Sequence, residues 1–385
     1  MTVWDGLVGQ HRPSEALRAA AHGQGMSHAF LFTGPPGSGR SNAAVAFAAA
    51  LQCERPEDRG CGECHECHTV LTGSHADVAV IRTEKLSIGV DEMRDLVRRS
   101  ALAPVGRRWQ IMIVEDADRL TERAWNALLK AIEEPADRTV WMLCAPTVED
   151  VLPTVRSRCR LVTLTTPTTD DVASFLVRAD GVDAAVASYA ARASQGHIGR
   201  ARALARDEAT RNRRREVVAL PARLVSLRAC MEAATSLAEV AKQEAELVTG
   251  ELDAREKADL DAAYGVVERG RRPREYAPAL RDLEKDQKTR AKRRYLDVVD
   301  RGLMDLVSVY RDAIAVATGA AGLLVNEEIR GDVELLARVS TPEVNLRRIA
   351  AIFEAREQML EFNVQPMLAL ESMMVALVAP EVRTG

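Results

Sequence analysis

HAFLFTGPPGSGRSNAAVAFAAALQ, residues 28–52, decides the fold. HAFLFTG (28–34) reads as a short buried strand ending in a glycine turn, and SNAAVAFAAALQ (41–52) reads as a helix. Between them GPPGSGRS, Gly34–Ser41, matches the phosphate-binding pattern G-x-x-x-x-G-K-[ST] except that Arg40 replaces the lysine. The glycines let backbone amides curl around phosphates, the lysine neutralises charge and the Ser or Thr takes magnesium. The amides of Gly37, Ser38, Gly39, Arg40 and Ser41 are expected to face phosphates at a helix N-terminus, with Ser41 the magnesium ligand. Arg40 keeps the charge but is longer, planar and bulkier than lysine.

Outward from this loop, apolar runs and amphipathic stretches alternate. Val78–Ile81, Trp109–Val114, Val140–Cys144 and Val162–Leu164 read as strands. Residues 90–100 and Thr121–Glu134 read as helices, the latter stopped by Pro135. The alternation predicts a parallel α/β domain of P-loop NTPase type over 1–165. Short alanine-rich helices without strands follow over 166–208, a small helical lid. An all-helical region then fills 209–385, in which 250–295 is densely charged with mixed sign and includes KTRAKRR. That segment is expected to form a solvated helix pair, with a DNA-contacting patch as the second reading. Residues 345–380 carry apolar positions at helical spacing, as a bundle core does.

Composition bounds the function. The 385 residues suit two or three domains, and 47% hydrophobic with 28% charged residues describes an ordinary globular chain. A net charge of −4 excludes a basic coat for nucleic acid. No apolar run approaches the ~20 residues of a membrane span, and no signal-peptide core stands at the N-terminus, so a cytoplasmic protein is expected.

Seven cysteines in that setting point to metal or free thiols rather than disulfides. Cys53, Cys61, Cys64 and Cys67 are spaced C-x7-C-x2-C-x2-C and can close a tetrahedral zinc site. Four protein ligands leave no open position, so such a zinc is structural; His65 and His68 are alternative ligands. Cys144, Cys159 and Cys230 stand alone and are expected to be buried. Glu54, Glu57, Asp58, Glu63 and Glu66 around the cysteines argue against a zinc-dependent DNA-binding adaptor.

The strand WQIMIV is followed by Glu115 and Asp116. Motor ATPases place Asp then Glu here, for magnesium and for the attacking water; this chain has the reverse order. Asp116 is the shorter side chain, so a slow or degraded site is expected, with a solvated strand end as the plainer reading.

LVGQ at Leu7–Gln10, the loop itself, the four-cysteine insertion, NALLKAIEEP at Asn126–Pro135 and VRSRC at Val155–Cys159 together resemble the AAA+ subunits of the bacterial DNA polymerase III clamp loader. The insertion narrows the likeness to the ATPase (tau/gamma) and delta-prime subunits. The resemblance implies a ring with the tau/gamma and delta subunits, joined by a C-terminal helical collar and acting on a sliding clamp and primer-template DNA. It implies that Ser157-Arg158-Cys159 carries an arginine finger, Arg158, that acts in trans on a neighbour's ATP; a surface-turn cap is its plainer reading. The first-sensor position falls at Ala145 and Pro146, with Thr147 the nearest hydroxyl. The second-sensor arginine falls at Gly199, and Arg200 would point about 100° away on a helix. Arg40, the reversed acids and both sensors depart from the ATPase pattern. The likeness therefore favours the delta-prime, stator-like member over an active tau/gamma-type ATPase.

Overall fold

The computed structural model describes residues 2–83, 87–106, 108–266, 273–320, 322–362 and 364–378. The chain separates into two units, 1–206 and 207–385.

The first unit runs α1 (His11–Ala21), β1 (Ala29–Thr33), α2 (Arg40–Gln52), α3 (His65–Leu71), β2 (Val78–Ile81), α4 (Val90–Ser100), β3 (Gln110–Val114), α5 (Glu122–Glu133), β4 (Thr139–Ala145), α6 (Pro153–Arg156) and β5 (Arg160–Thr163). All five strands are parallel, in the order β2-β3-β4-β1-β5. Every residue of β1, β3 and β4 is buried, as expected of central strands covered on both faces. On one face the alanine-rich α2 packs close: Phe47 meets the Phe30 ring edge-on at 4.8 Å, with Ile111, Ile113 and Met142 in the same cluster. On the other, α4 and α5 bury Met93, Leu96, Trp125 and Leu128 against Met112, Val114 and Trp141. Thr121 caps α5, its hydroxyl accepting from the Ala124 amide at 3.3 Å.

A three-helix lid follows: α7 (Thr169–Asp180), α8 (Ala184–Ser194) and α9 (Ile198–Arg206). Thr168 and Asp183 cap the first two, and the lid core gathers Val172, Phe175, Leu176, Ala190, Ile198 and Leu204. Val8, from the segment before α1, is buried in this same cluster. The chain turns from α8 into α9 through Gln195 and Gly196 in the left-handed region; a side chain at Gly196 would meet Thr166 Cγ2 at 2.2 Å.

The second unit is helical throughout its described residues: α10 (Glu208–Val218), α11 (Leu227–Ala263), α12 (Tyr276–Ala317), α13 (Arg330–Val339), α14 (Pro342–Leu360) and α15 (Pro366–Ala376). The long α11 and α12 pair antiparallel, with Leu237, Leu303, Leu306, Tyr310, Ile352 and Leu370 in the core they share with α14 and α15. The charged stretch 250–295 forms the far part of that pair, where Arg290 bridges to Asp253 and Glu256; its residues 267–272 lie outside the described residues. Nearer the core, Arg214 is buried with Asp305 at 3.1 Å and Glu328 at 2.5 Å. Asp312 accepts the Asn326 amide at 2.8 Å. No described helix is long and apolar enough to cross a membrane.

Candidate functional site

The phosphate loop lies where it was expected, at the C-terminal end of β1, beside the point at which strand order reverses. Its parts are turned inward. Gly37 has φ +83°, and a side chain there would strike His197, whose Cγ lies 2.4 Å from the ideal Cβ position. His197 stands at the start of α9 and accepts the Arg200 amide at Nδ1, 3.2 Å, so the lid's own cap is wedged over the loop. The Arg40 guanidinium donates to the Gly34 carbonyl, within the loop itself. The Ser38 amide bonds to Pro35 O at 3.1 Å, while the Ser38 hydroxyl is buried without a partner. Ser41 lies within hydrogen-bonding reach of Cys144, whose thiol burial pushes far up, with the nearby Glu115 adding to the shift.

Glu115 and Asp116 follow β3 as the sequence implied, and Glu115 is paired within the protein. The β2–β3 register pairs Ile81 with Val114, which brings the next residues, Arg82 and Glu115, side by side. Arg82 holds both carboxylate oxygens, at 2.7 and 2.9 Å, and Glu115 is 8% exposed. Asp118, in the turn Ala117–Arg119, is held above the ordinary carboxylate range by burial and by the charge of Asp116. At the sensor positions Ala145 is buried, and the Pro146 carbonyl accepts the Gly34 amide at 3.1 Å. The hydroxyl and amide of Thr147 both bond Asp150, at 2.8 Å each, so Thr147 does not face the loop as the sequence allowed. A glycine cradle with an orphan hydroxyl retains the shape of a phosphate site. Of its polar groups, Arg40 is bonded to the loop's own Gly34 carbonyl and Glu115 is paired with Arg82, while the Ser38 hydroxyl is left open.

Arg158 is far from this loop. It precedes β5, whose Arg160 pairs with Phe30, whereas the loop follows Thr33 at the other end of the same strands. Six residues of strand are about 20 Å. Its Nη1 donates to Thr154 O at 2.8 Å and to Ser157 Oγ at 3.2 Å, and its Nη2 pairs with Glu133 Oε1 at 2.9 Å. The side chain remains 40% exposed, presented outward at the end of the edge strand.

The four cysteines converge. Their sulfurs all lie within 4.8 Å of one another, with Cys53–Cys61 at 3.7 Å and Cys53–Cys64 at 3.9 Å. Tetrahedral zinc with Zn–S bonds of about 2.3 Å needs sulfur–sulfur edges of about 3.8 Å, so the residues fit the metal. Amides of Cys64 and Cys67 donate to the sulfurs of Cys61 and Cys64, each at 3.4 Å. Burial alone would raise Cys53, but amides of Cys61, Gly60 and Arg55 bring it down to about 7; burial pushes Cys67 up. Neither His65 nor His68 belongs to the cluster. Zinc bound here would cross-link the loop to α2 and α3 and do no chemistry.

Sequence reasoning did not find Arg82, His197 or Glu133. Each is an ordinary residue in its own segment and gains its role from a partner between 25 and 160 positions away. For Arg82 alone there was a signal: a cation directly after one apolar run and an acid directly after another.

A parallel sheet in this order, a phosphate loop after β1, a trailing acidic pair after β3 and a helical lid define an AAA+ domain of P-loop NTPase type. The family described as "DNA polymerase III, delta subunit" matches residues 9–168. Over that span the chain is similar to clamp-loader subunits of DNA polymerase III, delta-prime among them. It is 40% identical over 137 residues to the delta' subunit of Pseudomonas aeruginosa, covering 34% of this chain and 42% of that one. It is 35% identical over 158 residues to the tau subunit of Bacillus subtilis, covering 41% and 28%. A solved gamma-subunit-related protein of Thermotoga maritima aligns over 94% of this chain and 97% of its own at 15% identity and a TM-score of 0.39. The chain thus spans under half the length of these curated relatives.

Proposed function

We propose that this chain is a delta-prime-type subunit of a DNA polymerase III clamp loader: a stator that does not turn over ATP and that lends Arg158 to a neighbour's ATP site. One observation carries the reading. The groups that would serve this chain's own nucleotide are tied to the protein, Glu115 to Arg82 and Arg40 to Gly34, while Arg158, bonded to Thr154, Ser157 and Glu133 yet 40% exposed, lies about 20 Å away at the opposite end of the sheet. A bidentate cation stabilises charge on a transferring phosphoryl group, and at that distance the phosphate belongs to another subunit. In this reading the helical second unit is the collar, and the partners are the tau/gamma and delta subunits. The sliding clamp and primer-template DNA are met through the complex, in the cytoplasm, and zinc is structural.

Mixing the purified chain with tau/gamma and delta subunits at micromolar concentration should give a stable complex, and the chain alone should not turn over ATP. Failure to assemble overturns the reading. An active tau/gamma-type ATPase is the second reading, favoured by the 35% identity to tau; clear magnesium-dependent turnover by the chain alone, lost in Arg40→Ala, would establish it.

A further inference from the structure

We propose that the four-cysteine knuckle is a strut for the phosphate loop and for the joint between sheet and lid, acting through the N-terminal turn and Gln10. The knuckle has little of its own to hold it. Between the end of α2 and the start of α3 the described backbone forms only turns and bends, and the acidic side chains of 54–63 pack no core. Its order depends on what its sulfurs bind.

The N-terminus sits on this loop. The Val3 amide donates to Gly60 O at 2.9 Å, and the Trp4 indole donates to Arg59 O at 3.0 Å. Gly60, beside the ligand Cys61, has φ +94°; a side chain there would lie 2.7 Å from both Trp4 Nε1 and Val3 Cγ2. Trp4 is 5% exposed and has the Arg18 guanidinium of α1 over its ring at 5.5 Å. The short helical turn Val3–Gly6 is thus seated on two carbonyls of the metal loop.

Six residues later the same segment reaches the nucleotide side. The turn closes with Leu7 N to Trp4 O at 3.0 Å, and Gln10 N bonds Leu7 O at 3.2 Å. The Gln10 side chain is 2% exposed and grips Thr165 on both sides: its Oε1 accepts the Thr165 amide at 3.1 Å and its Nε2 donates to Thr165 O at 2.6 Å. The same Nε2 reaches the Ser38 carbonyl of the phosphate loop at 3.4 Å. Thr165 lies in the joint between β5 and α7, so one buried amide fastens the N-terminal segment, the lid joint and the loop together. A buried amide so engaged has no water to fall back on, and displacing it leaves unpaired polar groups. Loosening the knuckle unseats Trp4 and with it this clamp.

Amide hydrogen exchange on the full chain, with zinc counted in parallel, tests the link. The wild type should carry one zinc per chain. Cys64→Ser should lose it, and exchange should rise not only in 53–68 but at Leu7–Gln10, 34–41 and 165–168. The Thr165 amide should exchange roughly fivefold faster or more, the weight of about one hydrogen bond. Trp4→Ala breaks the seat while touching no ligand: it should keep its zinc, leave β3 and β4 protected, and raise exchange at the same distant residues. If Cys64→Ser does not fold, Trp4→Ala decides. Exchange that rises in the knuckle alone, a zinc-loaded Trp4→Ala with unchanged protection at 34–41 and 165–168, or a wild-type chain without zinc overturns the proposal.

Discussion

Replacing Arg158 by alanine should leave the fold nearly untouched and silence one ATP site in a neighbouring subunit. The structural cost follows from its contacts. Arg158 bonds Thr154 O, Ser157 Oγ and Glu133, and both members of the ion pair are exposed, at 40% and 44%. An exposed pair of this kind contributes about 0–1 kcal/mol. In a unit of this size that moves the unfolding midpoint by less than about 4 °C. The catalytic cost is of another order, because loss of an arginine finger slows the affected site by about 10³–10⁵. Reconstituted complexes, with wild-type or Arg158→Ala chain, should therefore elute alike and melt alike. Clamp- and DNA-stimulated ATP hydrolysis should fall to the share carried by the remaining sites. Arg158→Lys should recover little, since an ammonium cannot form the planar fork. An alanine complex that assembles and hydrolyses ATP at the wild-type rate would refute the assigned role. A complex that fails to assemble would also refute it, by making Arg158 an interface contact.

Arg40→Lys should not create turnover in the isolated chain, because Glu115 stays held by Arg82 and Ser41 stays beside Cys144; a phosphate-release rate above background would show that Arg40 alone blocks the site. Arg214→Met leaves Asp305 and Glu328 without their buried cation and should cost the second unit about 3–5 kcal/mol, lowering its melting transition by about 6–20 °C. A loss below about 1 kcal/mol by calorimetry would mean that these acids find water. Zinc affinity should fall as pH drops through about 7, where Cys53 takes up its proton. The thiolate favoured in the fold is present above that value and lost below it. Competition titrations with a chromophoric chelator at a series of pH values check this, and a flat profile between pH 8 and 6 would contradict it.

The order β1, phosphate loop, α2 was legible because its signals are local: a run buried on both faces, glycines at fixed offsets, alanines at helix spacing. The cysteines were legible for a related reason, since C-x2-C spacing fixes two ligands on one turn whatever surrounds them. What the site does with its residues was not local. Parallel strands β2 and β3 pair across more than thirty residues, and only their register sets Arg82 beside Glu115. The wedge of His197 on Gly37 needs the lid folded back on the loop. Thr147 looked available as a hydroxyl beside the loop until its turn closed on Asp150. In the second unit, helical periodicity told which faces are buried but not against which helix. The Arg214 network joins α10, α12 and the segment before α13 over more than a hundred positions.

The pairing of Glu115 with Arg82 has a physical reason of its own. Glu115 is 8% exposed, and a carboxylate at that depth is costly unless paired. In a working motor, magnesium and nucleotide supply part of that compensation. Here Arg82, its side chain 71% exposed, supplies that pairing, and the Gly34 carbonyl accepts from Arg40. On the proposed reading, a subunit whose buried acid is compensated from within would present Arg158 at a fixed place throughout a neighbour's cycle. A finger carried on a domain that itself opened and closed with ATP would move as its own site filled and emptied. On the proposed reading, silence at one end of the sheet and steady presentation at the other are two results of one arrangement, with the five-stranded parallel sheet as the spacer between them.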